Sequence, residues 1–153
     1  MGCLMRAVLQ RVDRACVRIN SQLFSAMDQG LLVFLGVEKG DTEKDADFIL
    51  EKTVHLRIFE DEQGKMNRSL VDIAGEMLVV SQFTLLADCD KGRRPSFARA
   101  QEPEKARALY EYFVRRAQPR VKKLATGAFQ EMMQIELVNS GPVTILLDSR
   151  KMA

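Results

Sequence analysis

The feature that most constrains the fold is a continuous apolar segment at residues 31–37, which begins directly after Gly30. The segment has the length of a β-strand and contains no polar side chain. A strand that is apolar at every position is covered on both faces, because neither row of its side chains is suited to water. We therefore predict that residues 31–37 form the central strand of a sheet.

A second apolar segment, residues 77–87, carries polar side chains within it, from Ser81, Gln82 and Thr84. The pattern predicts another buried strand, in which Ser81 and Phe83 face one way and Gln82 and Thr84 face the other. A buried hydroxyl or amide without a partner costs about 1–3 kcal/mol. These polar groups therefore indicate a functional segment.

The remaining pattern predicts a single domain over residues 1–153 with two main helices, and the fold class is expected to be α/β (α+β) with a β-sheet or barrel-like core. Thr42 and Asp45 form a capping box for the first helix. Pro103 suits the first turn of the second helix, which Pro119 ends. Residues 1–4 are expected to be extra N-terminal residues before the natural start at Met5. Further strands are predicted at residues 5–19, 23–27, 121–129, 133–138 and 143–147.

Between the last two predicted strands lies Gly141-Pro142, which combines a residue free to adopt positive φ with one of fixed φ and no backbone donor. Because proline removes a bond from a paired strand, the dipeptide belongs at a strand edge, a bulge or a hairpin tip. We predict a hairpin tip at residues 139–142. Its function is either that of a plain turn or that of a rigid main-chain site that presents carbonyl groups.

Charge is unevenly distributed along the chain. The formal net charge is +2, but residues 91–123 alone carry +8, so that the rest of the chain carries −6. This asymmetry indicates a basic face for an anionic partner, with phosphate groups as the expected ligands. The alternative is a solvated helix face.

Metal, membrane and lipid functions find little support in the sequence. Three cysteines without CxxC spacing and one histidine are too few ligands for a Cys and His metal site. We therefore expect no metal, no cofactor and a reduced, cytoplasmic environment. No apolar run approaches the roughly 20 residues that cross a bilayer, so no membrane partner is expected. Gly2 lacks a myristoylation pattern, because Arg6 stands where Ser or Thr is needed.

Side-chain catalysis has few candidates. His55 lies on the flank of the first predicted helix without a second histidine, and Cys89 lies in a basic loop, where a free structural cysteine is the simpler interpretation. No pair of acids stands in an apolar setting, and no P-loop or GxGxxG is present. Backbone groups remain: amides around residues 82–84 that stabilise an oxyanion, and carbonyls at Gly141-Pro142 that bind an ammonium group.

Two segments of the chain resemble the signatures of the D-aminoacyl-tRNA deacylase family, SQFTL and NxGPVT. The resemblance extends to residues 5–12, 94–97 and 147–149, and so covers nearly everything from residue 5 to residue 149. Two motifs in the right order, about sixty residues apart, are a specific signal. The segments are Ser81-Gln82-Phe83-Thr84-Leu85 and Asn139-Ser140-Gly141-Pro142-Val143-Thr144.

The resemblance implies a homodimer with active sites at the interface, which hydrolyses the ester between a D-amino acid and the 3′-terminal adenosine of tRNA. The backbone amides of Phe83 and Thr84 would form the oxyanion pocket, and Ser81 and Gln82 would shape it. Gly141-Pro142, cis in the family, would enter the partner subunit's pocket, where its carbonyls meet the substrate amino group. Because such a rigid dipeptide rejects L side chains and does not recognise D ones, glycine is expected to pass as well.

Supporting positions follow from the same resemblance. Arg11 matches an arginine that steadies the Gly-Pro motif, and Phe129 and Met133 match positions that line the adenine pocket. The ribose 2′-hydroxyl of the tRNA is implied to assist hydrolysis. Thr84 and Thr144 are nucleophile candidates on paper, but without a neighbouring base we expect them to have supporting roles.

Two other functions stay open on the sequence. A non-catalytic RNA- or DNA-binding module would use the same basic face. A relative that acts on L-alanine mischarged to tRNA is a third interpretation, against which Phe83 argues. The chain departs from the family at Gln130-Glu131, where Gly-Ala is common, and at Ser140, where Asp is common.

Overall fold

The predicted central strand is the third strand of the protein in a computed structural model, which describes residues 5–152. The expectation for residues 1–4 lies outside the described residues. The strands are β1 (Arg6–Ile19), β2 (Gln22–Met27), β3 (Gly30–Gly36), β4 (Phe59–Glu60), β5 (Met66–Arg68), β6 (Glu76–Ser81), β7 (Leu124–Thr126) and β8 (Gln134–Asp148), and the α-helices are α1 (Glu43–His55) and α2 (Pro103–Ala117).

Strand β3 occupies the centre of a six-stranded sheet, as the apolar segment predicts. The sheet has the order β2-β1-β3-β6-β7, and β8 pairs with β1. β3 runs antiparallel to β1 and parallel to β6. Leu31, Leu32 and Val33 are 0% exposed. The prediction that both faces of this strand are covered is therefore confirmed.

Both faces of the sheet carry an apolar cluster. Leu31 and Val33 pack with residues of α1 and α2 in one cluster, whereas Leu32 and Leu78 belong to a second cluster on the opposite face. β1 contributes to both, because its buried side chains change face along the strand. The sheet therefore curls around the second cluster and is barrel-like, as expected. The buried residues of β1 are Ala7 and Leu9 in the first cluster and Val12, Ala15 and Val17 in the second.

The two predicted helices form and begin where expected. The Asp45 carboxylate accepts a hydrogen bond from the Thr42 backbone N–H at 2.9 Å and completes the capping box of α1. α2 begins at Pro103, and its buried side chains include Tyr110 and Phe113. Both helices pack on the same face of the sheet, and so leave the other face and the strand ends to the candidate site.

The second apolar segment is not one strand, and the predicted alternation beyond Ser81 is wrong. β6 ends at Ser81, and Phe83–Leu86 form a 3-10 helix. β3 ends at Gly36, and β7 pairs only with residues 77–79 of β6. The chain beyond Ser81 therefore has no neighbouring strand on either side, and its backbone turns into a helix.

The predicted hairpin around Gly141-Pro142 is also wrong, and the bulge is the alternative that the structure adopts. β8 is continuous, and both of its halves pair antiparallel with β1. Between the pairs Gln10–Thr144 and Val12–Asn139, β8 contains the four residues 140–143 where β1 contains one. β1 is 14 residues long and offers partners to both halves, so the halves do not need each other.

Two smaller differences concern the connections. Of the strand predicted at residues 121–129, only Leu124–Thr126 form a strand, which is β7. Just beyond it, the Gly127 N–H still donates to the Val79 carbonyl at 3.1 Å. Met66–Arg68, to which the sequence pattern assigned no element, form β5, and β5 pairs with β4. Within residues 5–152, no helix is both long and apolar enough to span a bilayer.

Candidate active site

The 3-10 helix Phe83–Leu86 presents two backbone amides at its N-terminus. The first amides of such a helix have no acceptor within it. Here the Leu85 N–H donates to the Gln82 carbonyl at 3.2 Å, whereas the N–H groups of Phe83 and Thr84 donate to no acceptor among the described residues. Both residues are exposed. The pair of donors is therefore open to a ligand.

Three contacts fix this helix against the sheet. The Gln82 N–H donates to a β3 carbonyl at 2.8 Å, and the Arg6 guanidinium donates to the Leu85 carbonyl at 2.8 Å. Gly36 leaves the necessary space, since a Cβ there would lie 2.7 Å from the Leu86 side chain and 3.0 Å from the Gln82 carbonyl oxygen. Most of these contacts involve the backbone, so the position of the amides depends little on their own side chains.

The motif's side chains supply no activated nucleophile. Ser81 is half-buried at the end of β6. The Gln82 amide nitrogen donates to the Thr84 hydroxyl at 2.8 Å. Among the described residues, the Thr84 hydroxyl has no carboxylate or imidazole partner to act as a base, which a nucleophilic hydroxyl needs.

The bulge in β8 is built around Gly141-Pro142, whose peptide bond is cis. Gly141 has a φ of +131°, and a Cβ there would lie 2.8 Å from the Val143 side chain and 2.9 Å from the Arg11 guanidinium. Conformation and space therefore both disfavour an L residue at this position. Gly141 and Pro142 are exposed, so the dipeptide stands at the surface.

Arg11 ties the bulge to neighbouring backbone. Its Nε donates to the Ser140 carbonyl at 2.9 Å, and a terminal nitrogen of the same guanidinium donates to the Ile58 carbonyl at 2.8 Å. A guanidinium that bridges two fixed carbonyls has few other positions available to it. The residue directly before Gly141 is therefore held in place from the facing strand.

Asn139 and Thr144 close the base of the bulge. The Asn139 side-chain oxygen accepts from the Val143 N–H at 2.8 Å, and its nitrogen donates to the Thr144 hydroxyl at 3.0 Å. Gln10 of β1 donates to the same hydroxyl at 3.3 Å. The Thr144 hydroxyl is thus engaged with amides and lies within a supporting network.

The two motifs lie at different positions along β1. The 3-10 helix packs on Gly36, which pairs with Arg6 of β1, whereas the bulge lies opposite Arg11. Five residues of a strand span about 16 Å. A single chain therefore does not bring the two amides and the Gly-Pro dipeptide to one point.

Phe129 and Met133 lie just beyond β7. The Met133 sulfur accepts from the Ala128 N–H at 3.4 Å. The half-buried Phe129 ring lies 5.9 Å from the Tyr110 ring centre and 4.7 Å from the guanidinium carbon of Arg107. The Phe129 ring and the Arg107 guanidinium form a patch on which an aromatic base can stack, whereas Met133 packs against the second apolar cluster.

Tyr110 has a structural role beside this patch. Its hydroxyl donates to the Val79 carbonyl at 2.8 Å, and burial raises its pKa to about 12. The hydroxyl is therefore protonated at neutral pH. Its contribution to stability is complete below the unfolded pKa of 10 and is lost as the pH rises toward 12.

The other reactive side chains lie in different surroundings. His55 is exposed on α1, where its Nε2 lies 3.1 Å from Arg120 and 3.6 Å from Glu51. Cys89 is exposed in the loop that follows the 3-10 helix. In the part of the chain that is described, no three His, Cys, Asp or Glu side chains are grouped so that they could hold a metal ion.

Sequence reasoning missed several residues that contact the two motifs. Arg6 bonds to the 3-10 helix, and the Phe97 ring lies edge-on to the Phe83 ring at 5.2 Å. Gln10 contacts the bulge, and Arg107 contacts Phe129. Arg6 lies within residues 5–12 of the family resemblance, and in the sequence it interrupts the apolar start of the strand predicted at residues 5–19. That interruption was the available signal, because a charged residue within a core strand needs a partner.

Comparison with known proteins identifies the family. The family model for D-Tyr-tRNA(Tyr) deacylase matches residues 8–148. A D-aminoacyl-tRNA deacylase of Syntrophus aciditrophicus is 61% identical over 148 residues, which cover 97% of this chain and 99% of that protein. Its counterpart in Kosmotoga olearia is 55% identical over 147 residues, with 96% and 99% covered.

Solved structures agree with this match. The c-Myc DNA unwinding element binding protein superimposes with a TM-score of 0.88 at 39% identity, over 93% of this chain and 97% of its own. A probable eukaryotic D-amino acid tRNA deacylase shares the fold, with a TM-score of 0.83 at 17% identity over 95% and 99% of the two chains. The fold and the relatives define a hydrolase of the deacylase class. The chain belongs to the D-Tyr-tRNA(Tyr) deacylase family, and the expected family membership is confirmed.

Proposed function

We propose that the protein hydrolyses the ester bond of D-aminoacyl-tRNA and releases the free D-amino acid and the tRNA. The observation that carries the proposal is the pair of unpartnered amides at Phe83 and Thr84, in a chain that belongs to this family. Aminoacyl-tRNA serves translation in the cytoplasm, and we propose that the protein acts there.

In the proposed reaction, the amides of Phe83 and Thr84 bind the carbonyl oxygen of the ester. Attack by water turns this oxygen into an oxyanion, which donors already in place stabilise without reorganising. The bond from the carbonyl carbon to the ribose 3′-oxygen then breaks, and the leaving oxygen takes up the proton that the attacking water loses. The neighbouring ribose 2′-hydroxyl assists this proton transfer, while Ser81 and Gln82 shape the pocket.

The proposed chiral selection works by exclusion. A substrate held by its ester carbonyl and its amino group sends L and D side chains in different directions. The carbonyls of Gly141-Pro142 bind the ammonium group, and the dipeptide has no side chain that can move aside. It therefore blocks the direction of an L side chain. Glycine has no side chain to block, so glycyl-tRNA is an expected substrate.

The proposed active site needs two copies of the chain, because the β1 residues level with the two motifs, Arg6 and Arg11, are about 16 Å apart along the strand. Leu146 on β8 is 77% exposed, and its partner Val8 on β1 faces Phe34 on β3. Directly paired residues share a sheet face, so the three form one partly exposed apolar row. We propose that a second copy covers this row, and that each bulge enters the pocket of the other copy.

The proposed binding of the terminal adenosine uses the patch beyond β7. The base stacks on the Phe129 ring and the Arg107 guanidinium. Thr144 orders the bulge through Asn139 and does not act as a nucleophile. Arg11 holds the carbonyl of Ser140 and so steadies the dipeptide.

Hydrolysis of matched D- and L-tyrosyl-tRNA by the purified protein tests the proposal. We expect rapid release of D-tyrosine and no release of L-tyrosine above the uncatalysed rate. Equal rates on both esters would refute chiral selection. His55→Ala is a control for side-chain catalysis, and we expect its rate to stay within about twofold of the wild type because His55 lies on α1, away from both motifs.

A second candidate function is non-catalytic binding of DNA or RNA. The observation that favours it is the 39% identity to the c-Myc DNA unwinding element binding protein. The basic segment at residues 91–123 offers a surface for phosphates. Binding that weakens steeply with salt, without cleavage of either tyrosyl ester, would favour this candidate over hydrolysis.

A further inference from the structure

A closed loop follows the 3-10 helix, and its ends are joined by two backbone hydrogen bonds. The Asp88 N–H donates to the Ser96 carbonyl at 2.7 Å, and the Ser96 N–H donates to the Asp88 carbonyl at 2.9 Å. Residues 89–95 between them are exposed. Gly92 at the tip has a φ of +67°, and a Cβ there would meet no atom within 4 Å. The tip therefore projects into solvent.

We call residues 88–96 the basic loop. Its tip carries Lys91, Arg93 and Arg94. None of these three cations has an acidic partner within the described residues. Against these three cations the loop carries two acids, Asp88 and Asp90, and the Asp90 N–H donates to the Asp88 side chain at 3.0 Å. The tip is thus a small region of excess positive charge, which a polyanion would neutralise.

Other cations of the basic segment serve the fold. Arg99, just beyond the loop, forms an ion pair with the buried carboxylate of Glu38 at 2.7 Å. Arg116 lies 3.7 Å from Asp47 on α1, and Arg120 is paired with Glu51. The unpaired cations of the basic loop are therefore distinct from those that hold elements together.

The basic loop has a fixed position relative to the two amides of the candidate site. Phe97, next to the loop's closing residue, lies edge-on to Phe83 with 5.2 Å between ring centres. The chain beyond it is fixed by the Lys39 N–H, which donates to the Arg99 carbonyl at 2.9 Å, and by the Gln101 N–H, which donates to the Val37 carbonyl at 2.9 Å. The base of the basic loop therefore lies beside the 3-10 helix, and the tip cations extend from that base.

We propose that the basic loop binds backbone phosphates of the tRNA acceptor end, on the 5′ side of the nucleotide that carries the ester. This proposal rests on the proposed function, since an ester bound at Phe83 and Thr84 brings the preceding nucleotides close to the same helix. Arg and Lys bind phosphates through charge-assisted hydrogen bonds. Contacts to phosphates carry no sequence information, so the loop raises affinity for any tRNA acceptor end.

The test compares two D-tyrosyl esters, D-tyrosyl-tRNA and D-tyrosyl-adenosine, which has no 5′ phosphate. In the triple variant Lys91→Gln, Arg93→Gln and Arg94→Gln, we expect the KM for the tRNA ester to rise about tenfold or more, with kcat nearly unchanged. The slope of log Kd against log salt concentration for tRNA binding should also become shallower. Each single-strand phosphate that the variant no longer binds lowers the slope by about 0.7, so three lost contacts lower it by about 2.

A matched control removes the same charge elsewhere in the basic segment. Arg115, Lys122 and Lys123 are exposed, and their side chains form no ion pair within the described residues. The triple change of these residues to Gln should leave the KM for the tRNA ester within about twofold. An equal rise of KM in both triple variants would overturn the proposal, because net charge alone would then explain the effect.

The outcomes separate this proposal from the proposed function. If both esters are hydrolysed and the loop variant changes neither the KM nor the salt slope, the loop proposal is wrong and the hydrolase stands. If neither ester is hydrolysed but the loop variant still makes the salt dependence of tRNA binding shallower, the hydrolase proposal fails, phosphate binding by the loop stands, and its placement beside the ester is overturned. A rise of KM on both esters would place the defect in the pocket and would also overturn the loop proposal.

Discussion

The two motif segments adjoin the same sheet but offer opposite kinds of backbone hydrogen-bonding group. The 3-10 helix Phe83–Leu86 offers backbone donors, whereas the bulge at residues 140–143 offers an exposed Gly-Pro peptide that can only accept. The helix is held mainly through backbone bonds and through the space at Gly36, while the bulge is held by the side chains of Arg11 and Asn139.

This difference predicts how each segment responds to change. Replacement of a side chain in the 3-10 helix removes nothing that the proposed chemistry uses, because the donors belong to the main chain. Replacement of a side chain around the bulge releases the carbonyls that the proposed chemistry needs. The following variants test the contrast, beginning with the largest expected effect.

Removal of a single backbone donor should be the most damaging change. Replacing the Phe83–Thr84 amide by an ester, through a hydroxy-acid analogue of threonine at position 84, deletes the N–H and keeps the side chain. We expect kcat on D-tyrosyl-tRNA to fall about 10²–10³-fold, the usual loss for one oxyanion donor. Thr84→Ala is the matched control, and we expect it to retain kcat within about tenfold. Loss of all hydrolysis in Thr84→Ala, with binding intact, would indicate covalent catalysis by the hydroxyl.

A side chain at Gly141 should disrupt the bulge. Gly141→Ala introduces a Cβ at 2.8 Å from Val143 and 2.9 Å from Arg11, at a φ of +131°. Strain of about 1–3 kcal/mol should lower kcat/KM for the D-ester by about 10- to 100-fold and reduce the D-to-L ratio. Gly64→Ala is the control, because Gly64 also has a positive φ but no atom within 4 Å of a Cβ. Equal losses in the two variants would contradict a specific role for the bulge.

Loss of the Arg11 side chain should loosen the bulge without blocking it. Arg11→Gln removes charged hydrogen bonds to the carbonyls of Ser140 and Ile58. Each is worth about 1.5–3 kcal/mol, so we expect a lower thermal midpoint and a D-to-L ratio reduced by about tenfold. Arg14→Gln, at an exposed position of the same strand, should change neither quantity. An unchanged ratio in Arg11→Gln would show that the dipeptide needs no support from β1.

The smallest expected effect concerns the patch beyond β7, which belongs to neither motif. Arg107→Gln removes the guanidinium that lies 4.7 Å from the Phe129 ring centre. An exposed cation–π contact is worth about 0.5–1 kcal/mol, so the KM for the tRNA ester should rise about two- to fivefold. Arg115→Gln on the same helix should leave it unchanged. A larger fall in kcat than in affinity would place Arg107 nearer the reacting atoms than proposed.

The sequence was most informative where local pattern and packing agree. β3 and the two helices follow directly from apolar spacing, capping residues and the positions of Pro103 and Pro119. Both motif segments were recognisable as residues, yet their local structures were predicted wrongly as a strand and a hairpin. In each case the deciding factor was the neighbouring strand: β3 ends too early for residues 83–86, and β1 is long enough to pair with both halves of β8.

Contacts between distant segments were the least predictable part of the site. Nothing local to Arg6 indicates that its guanidinium bonds to the Leu85 carbonyl, 79 residues away. The edge-on contact between Phe83 and Phe97 likewise depends on how the basic loop folds back. Such contacts arise from the path of the chain in three dimensions, which the spacing of apolar residues does not encode.

The most direct test of the account is complementation between two defective chains. One chain carries Gly141→Ala and keeps its amides, and the other carries the ester at Thr84 and keeps its bulge. If each active site combines the 3-10 helix of one copy with the bulge of another, a randomly assorted mixture should recover about a quarter of the wild-type activity on D-tyrosyl-tRNA. Activity no higher than the mean of the two separate chains, in a mixture shown to exchange subunits, would contradict the account.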